Sequence, residues 1–398
     1  MKEIKYGTIT TPLGFRANAL CCGIKKKKDL ALIYSVICAN AAGVFTTNRM
    51  RAACVDIDLL NLRRGRAQAI IVNSGNANCC TGQKGKKDAW RVVSALAKQL
   101  ELEKEEILVA STGVIGKFLP VDKIVRSIPD LVDGLDFNKG KEAATAIMTT
   151  DTFSKQAAME INIAGKKVQI GAMAKGAGMI RPDMATMLCF ITTDANITST
   201  ALKLALKEAV DGSFNRISVD AQMSTNDSVI ILANALARNP LICKQGRNLR
   251  LFTCALTFVC QKLARMIVED AEGATKVIRI LVAGARSNKE AKQAAYAVAD
   301  SLLVKTMIAG ANPNWGRIPA ALGAAKVDFA AEKLKIALQK QVVYRNSAPG
   351  GIKREKLIKL LKKKEVEIDI NLGSGKHEYS LLSCDLTCEY VRINTAYN

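Results

Sequence analysis

The chain of 398 residues is 49% hydrophobic and carries 58 lysines and arginines against 36 acids, a formal net charge of +22. That apolar content excludes a disordered chain, and the length suits two to three ordinary domains or one large two-lobed α/β body. The charge raises the expectation of anionic partners, while the single histidine, His377, excludes a multi-histidine metal centre and leaves an enzyme reliant on some other base.

From the N-terminus onward, residues 1–7 have no apolar run behind them, so no secretory signal is visible. The uncharged stretch 30–48 is interrupted by Ser35, Asn40, Gly43, Thr46, Thr47 and Asn48 and reads as soluble core plus loop, not a membrane span. The 12 cysteines are scattered or doubled (Cys21-Cys22, Cys79-Cys80) with no C-x-x-C spacing, which suits reduced thiols in the cytoplasm. Ala69-Ile70-Ile71-Val72 is expected to be a buried strand entering the loop Asn73-Ser74-Gly75-Asn76-Ala77-Asn78. An amphipathic helix follows, with Ala89, Val92, Val93, Leu96 and Leu100 on one face. Ile107-Leu108-Val109-Ala110 is a second buried strand that delivers Ser111-Thr112-Gly113 at its end, where α/β proteins tend to place chemistry.

Residues 187–192 are strand-like, and Thr198 or Ser199 can cap a helix bearing Leu202, Ala205, Leu206, Ala209 and Val210. Helices are expected over 251–268 and 289–303, around a strand at 277–282, and the last fifty residues read as strands of alternating polarity. Residues 353–365 hold seven lysines and arginines with Leu357 and Leu361 on one helical face, which favours a solvated amphipathic helix over a nucleic-acid patch. Repeats and long linkers are absent from the sequence, and the alternation of short apolar runs with amphipathic windows gives an α/β (α+β) class.

The segment richest in chemistry runs from Lys175 through Gly176, Gly178, Arg181, Pro182 and Asp183 to Ala185-Thr186-Met187. It lacks the Gly-Lys-Ser/Thr ending of a phosphate loop, and by spacing alone it is a strand-entry loop. A threonine after a small residue has a further capability. It can attack the preceding carbonyl, break its own backbone and become an N-terminal nucleophile, with its α-amine as base. The reference pKa of such an amine, about 7.7 to 8, suits working pH without a histidine.

With these residues in view, the sequence resembles the ornithine acetyltransferases (glutamate N-acetyltransferases) of the arginine pathway. The likeness spans nearly the whole chain. It is carried by 178–188, by Ala41-Ala42-Gly43-Val44-Phe45-Thr46-Thr47-Asn48-Arg49, by 73–78 and by Ser111-Thr112-Gly113-Val114-Ile115-Gly116. Further blocks are Met148-Thr149-Thr150-Asp151, Ser213-Phe214-Asn215-Arg216, Ser224-Thr225-Asn226-Asp227, Glu272-Gly273-Ala274-Thr275-Lys276, Pro313-Asn314-Trp315-Gly316-Arg317 and Tyr390-Val391-Arg392-Ile393-Asn394. The chain departs from the family pattern at Asp183, at Asn312 and at Ala221-Gln222-Met223, where the family tends to read Gly-Asp-Thr. It also ends at Asn398, where members often continue to a terminal Ser or Thr.

The resemblance implies self-cleavage between Ala185 and Thr186 into an α chain (1–185) and a β chain (186–398) that stay in one two-lobed body, with two α and two β chains assembling into a heterotetramer. It implies that Thr186 takes acetyl from N-acetylornithine and passes it to glutamate in a ping-pong cycle, with no metal or organic cofactor and with acetyl-CoA as a candidate second donor. Thr112 and Gly113 match the family's oxyanion hole, in which one donor typically supplies about 3 kcal/mol. Thr149, Lys175, Thr186, Glu272 and Asn394 match its substrate-holding positions, with Lys175 suited to an α-carboxylate and Glu272 to an ammonium. Trp315 is expected to be structural. Two other readings are a self-cleaving amidase or aminopeptidase, with water as acceptor, and a nucleic-acid-binding protein driven by charge, for which the sequence offers no recognisable motif.

Overall fold

The computed structural model describes residues 1–181 and 187–396, which build two sheets with helices against them. The chain divides into two compact units, one holding residues 1–176, 182–215 and 222–267, the other 177–181, 216–221 and 268–398. This division does not follow the Ala185–Thr186 boundary, because strands from both sides of it share the first unit's sheet.

That sheet runs in the order Lys2–Glu3, Lys155–Ile163, Lys166–Lys175, Leu188–Thr193, Ser228–Ala233, Leu30–Phe45, Arg66–Asn76, Ile107–Val114, with Phe15–Leu20 paired to Leu30–Phe45. Leu188–Thr193 and Ser228–Ala233 are parallel and buried throughout, which is why they read as continuous apolar runs. Lys166–Lys175 pairs antiparallel with Leu188–Thr193, so Lys175 lies opposite Leu188. One face of the sheet packs on the helix Gly82–Leu100, through Ala89, Val92, Val93 and Leu96, and on Val121–Asp133, through Ile124, Ile128 and Leu131. The other face buries Phe15, Ile33, Phe190, Ile230 and Leu232 with Ala143 and Ala144. Thr198 caps Ser199–Asp211 as expected, its Oγ1 accepting from the Ala201 amide at 3.3 Å. Among the described residues, Arg247–Glu269 is the one helix long and apolar enough to cross a membrane, and its Phe252, Leu256, Val259, Leu263 and Ile267 are buried inside the protein.

The second unit's sheet runs Ala348–Pro349, Gln341–Arg345, Lys335–Leu338, Glu365–Asn371, Val277–Ala285, His377–Cys384, Ile217–Ser218. The helix expected over 289–303 is two helices, Asn288–Ala299 and Leu302–Ala309. Ser301 ends the first run by capping the second, its Oγ accepting from the Val304 amide at 3.3 Å. Arg354–Leu361 buries Leu357 and Leu361 under its basic face. The C-terminal stretch is not all strand: Glu365–Asn371 and His377–Cys384 alternate as expected, but Cys388–Ala396 is an exposed helix. Trp315 is half-buried with its ring 5.8 Å from Tyr344, a packing role, and all 12 cysteines are free thiols.

Candidate active site

Two parallel strands make the first part of the site. The expected loop 73–78 is largely strand: Asn73, Ser74 and Gly75 pair with Ser111, Thr112 and Gly113 before the register slips at Asn76. These buried polar residues stay in the ladder because each finds a partner there. Ser111 Oγ donates to Asn73 Oδ1 at 2.7 Å, Asn73 Nδ2 to the Asn76 carbonyl at 2.8 Å, and Ser74 Oγ to the Ala146 carbonyl at 2.5 Å. Asn226 ties the pair together by donating to the carbonyls of Ala77 (2.7 Å) and Ser111 (2.8 Å). Gly113 has φ +136°, and a Cβ there would lie 2.3 Å from the Gly75 carbonyl carbon and 2.5 Å from the Asn76 nitrogen, so only glycine fits.

Lys175, the last residue of its strand and 4% exposed, donates from Nζ to Thr112 Oγ1 at 3.3 Å. Beside it lies a buried carboxylate that the sequence reading did not single out. Asp151 Oδ1 accepts from Lys155 Nζ and from the Gly176 amide, both at 2.7 Å, and Oδ2 accepts from the Thr149 amide at 3.0 Å. Burial alone would raise its pKa. The charges of Lys175 and Lys155, with the hydrogen bonds from Lys155 and Gly176, outweigh that and bring it down to about 2. Thr112, Gly113, Thr149 and Lys175 are therefore drawn together in the first unit, with Asp151 and the fully buried Lys155 as the added members. The available signal was Asp151 within the Met148-Thr149-Thr150-Asp151 block, followed four residues later by a lysine entering an apolar strand.

Just before the strand Leu188–Thr193, Asp227 Oδ1 accepts from the Met187 amide at 2.9 Å, and the Ser228 amide donates to the Met187 carbonyl at 3.2 Å. Asp227 is fully buried, which pushes its pKa well above the usual carboxylate range. Ala185 and Thr186, with Asp183, lie outside the described residues.

Glu272 and Asn394 meet in the second unit, where Asn394 Nδ2 donates to Glu272 Oε2 at 2.8 Å. The Glu272 amide donates to the Ala177 carbonyl at 2.9 Å, and its carboxylate covers Gly178 so closely that a Cβ there would be 2.4 Å from Oε2. Asp220 fastens the rest of this loop, accepting from the amides of Met179 (2.6 Å) and Ile180 (2.8 Å) and from the Tyr390 hydroxyl (3.1 Å). Asp220 was also missed, since nothing in its local sequence marks it as a loop clamp. His377 is engaged elsewhere in the second unit, its Nδ1 lying 3.1 Å from Asn288 Oδ1.

A family model, ArgJ, matches residues 16–398. The chain is 47% identical over 395 residues to the arginine biosynthesis bifunctional protein ArgJ of Dehalococcoides mccartyi, covering 98% of this chain and 97% of that one. It is 45% identical over 407 residues to the protein of the same name from Caldanaerobacter subterraneus, covering 99% of each. Among solved structures, ornithine acetyltransferase complexed with ornithine from Mycobacterium tuberculosis is 38% identical, covers 46% of this chain and 97% of that chain, and has a TM-score of 0.43. The chain belongs to the ArgJ family and is an acyltransferase of arginine biosynthesis.

Proposed function

We propose that the enzyme cleaves itself between Ala185 and Thr186 and then transfers acetyl from N-acetylornithine to glutamate through an acetyl-Thr186 ester. In the first half-reaction the Thr186 hydroxyl attacks the acetyl carbonyl while the α-amine takes its proton. The C–N bond then breaks and ornithine leaves with that proton. In the second, the amine of glutamate attacks the ester and releases Thr186. The tetrahedral oxyanion of each step is held by the Thr112 hydroxyl and the Gly113 N–H. The reading needs no metal or organic cofactor, and acetyl-CoA is its candidate second acetyl donor.

The observation that carries this reading is the buried meeting of Thr112, Gly113 and Lys175, ringed by Thr149 and Asp151. Thr149, Lys175, Glu272 and Asn394 hold substrate. The family's relatives carry the bifunctional ArgJ name, and the Mycobacterium tuberculosis structure contains ornithine, which supports the donor side. The two chains remain associated and pair into a complex of two α and two β chains.

The test is to incubate the enzyme with N-acetylornithine and no acceptor, then measure intact masses. The expected product is a fragment beginning at Thr186 that carries one added acetyl group and loses it when glutamate is supplied. Transfer to glutamate through a ternary complex, with no acetylated fragment at any time, overturns the reading.

A further inference from the structure

We propose that Lys175 is a positioning residue for the oxyanion donor: its ammonium fixes and polarises the Thr112 hydroxyl, and Asp151 holds Lys175 for that task. This rests on the reading of Thr112 as an oxyanion donor and goes beyond a role for Lys175 in holding substrate.

The direction of one hydrogen bond carries the inference. An ammonium has three N–H donors and no acceptor, so in the 3.3 Å contact from Lys175 Nζ the Thr112 oxygen must accept. The hydroxyl hydrogen is thereby turned away from Lys175 and left to be donated elsewhere. A hydroxyl whose oxygen accepts from a cation is also a stronger donor through its own hydrogen, because hydrogen bonds in a chain polarise one another. Both effects are large only where water is excluded. Thr112 is 7% exposed and Lys175 4%.

Asp151 explains how Lys175 is kept in place. Its carboxylate grips the Gly176 amide, the peptide group directly after Lys175, and so fixes the backbone from which that side chain departs. It also supplies the counter-charge that two buried ammoniums, Lys155 and Lys175, require. Thr149, anchored through its amide to the other carboxylate oxygen, completes a rigid unit in which one aspartate sets three neighbouring backbone and side-chain groups.

A double-mutant cycle decides the matter, with T112A, K175M, K175R, D151N and the T112A combinations each first confirmed by mass to be cleaved. T112A is expected to lower kcat by roughly 10- to 1000-fold. K175M should fall in the same range, K175R should recover part of the loss, and T112A/K175M should be no slower than the worse single variant. Should K175M fail to cleave or fold, D151N provides the same cycle: it should slow wild type by about tenfold, and T112A hardly at all. Multiplying effects in either cycle, or a K175M that changes KM with kcat intact, overturns the proposal while leaving the oxyanion reading standing. An unchanged kcat in T112A instead removes the oxyanion reading itself.

Discussion

Asp227 accepts the Met187 backbone amide through Oδ1 at 2.9 Å, while its Oδ2 has no hydrogen-bond partner among the described residues. Asp58 repeats the device one strand pair away, where Oδ1 accepts from the Val109 amide at 2.8 Å and Oδ2 is likewise unpartnered. A carboxylate in such a place would be costly, so burial raises both pKa values well above the ordinary range and favours the neutral acid at each, while Oδ1 holds a backbone amide. Because the folded pKa exceeds the unfolded one, the folded state binds the extra proton. Stability is then undiminished below about pH 4 and falls as pH rises toward the folded pKa. Asp227→Asn keeps the acceptor and never ionises. It should self-cleave and turn over normally, and its melting temperature should gain on wild type as pH is raised from 4 to 8. Asp227→Ala, which orphans the Met187 amide, should lose about 1 to 3 kcal/mol. Thermal melts across pH check both, and an Asn variant that is inactive although folded and cleaved would mean that the carboxylate, not the neutral acid, is needed.

Lys175 and Leu188 are ladder partners although 12 residues of chain separate them. A break between Ala185 and Thr186 would therefore leave both new ends tied to neighbouring strands of one sheet. Denaturing electrophoresis should show two fragments, one ending at Ala185 and one beginning at Thr186, that co-elute as a single species under native conditions. Thr186→Ala should give one uncleaved chain. Fragments that separate on gel filtration without denaturant would contradict the role given to this strand pair.

The elements most visible in the sequence were those whose packing is local. The 92–93–96 face of Gly82–Leu100 and the Thr198 cap could be read from spacing because the helix itself sets their geometry. Residues 73–76 read as loop because their residue types favour turns, yet partners distant in sequence (Ser111, Ala146) keep them in a strand. Similarly, Thr112, Gly113, Thr149 and Lys175 could be proposed from motif resemblance, whereas Asp151 and Asp227 sit inside matching blocks without any sign of their role, and Asp220 lies outside them. Their importance lies in which amides they accept, and that is fixed only by tertiary structure.

Asp151 gives the opposite pH signature from Asp227. Its pKa is held near 2, below the unfolded carboxylate value of about 3.9, so its stabilisation is complete above about pH 4 and disappears as pH falls toward 2. The shift corresponds to about 2 to 3 kcal/mol. Asp151→Asn should be destabilised at pH 7 by about 3 to 5 kcal/mol, since buried Lys155 loses its counter-charge. Chemical denaturation at pH 7 and at pH 3 should find the difference from wild type smaller at the lower pH. A gap that is constant with pH would show that charge is not the cause.

Ala221 has φ +63°, a left-handed backbone that costs a residue bearing a Cβ about 1 to 2 kcal/mol, and it stands where the family tends to read glycine. Ala221→Gly relieves that strain but adds freedom to the unfolded chain, about 0.5 to 1 kcal/mol in the other direction. The expected net gain is roughly 0.5 to 1 kcal/mol, a rise of about 0.5 to 1 °C in Tm for a chain of this length. Calorimetry checks it, and a lower Tm would mean that the alanine methyl makes contacts worth more than the strain.

Glu272 sits against Gly178 with its carboxylate steadied by Asn394, so its charge has a fixed position. A fixed negative charge treats the two proposed substrates differently: it attracts the free ammonium of N-acetylornithine and repels the side-chain carboxylate of glutamate. Glu272→Gln should therefore lower kcat/KM for the donor half-reaction by about tenfold or more, the usual effect of losing a partly buried charge pair, while the acceptor half-reaction changes little or improves. Gly178→Ala tests position rather than charge. Its Cβ would fall 2.4 Å from Oε2, so the carboxylate must swing away from Asn394. The donor half-reaction should suffer as in Glu272→Gln, with thermal stability altered by no more than about 1 kcal/mol, because a flexible side chain can move aside. Stopped assays with donor and acceptor varied separately measure both variants. Equal losses in the two half-reactions would place Glu272 outside the discrimination between substrates.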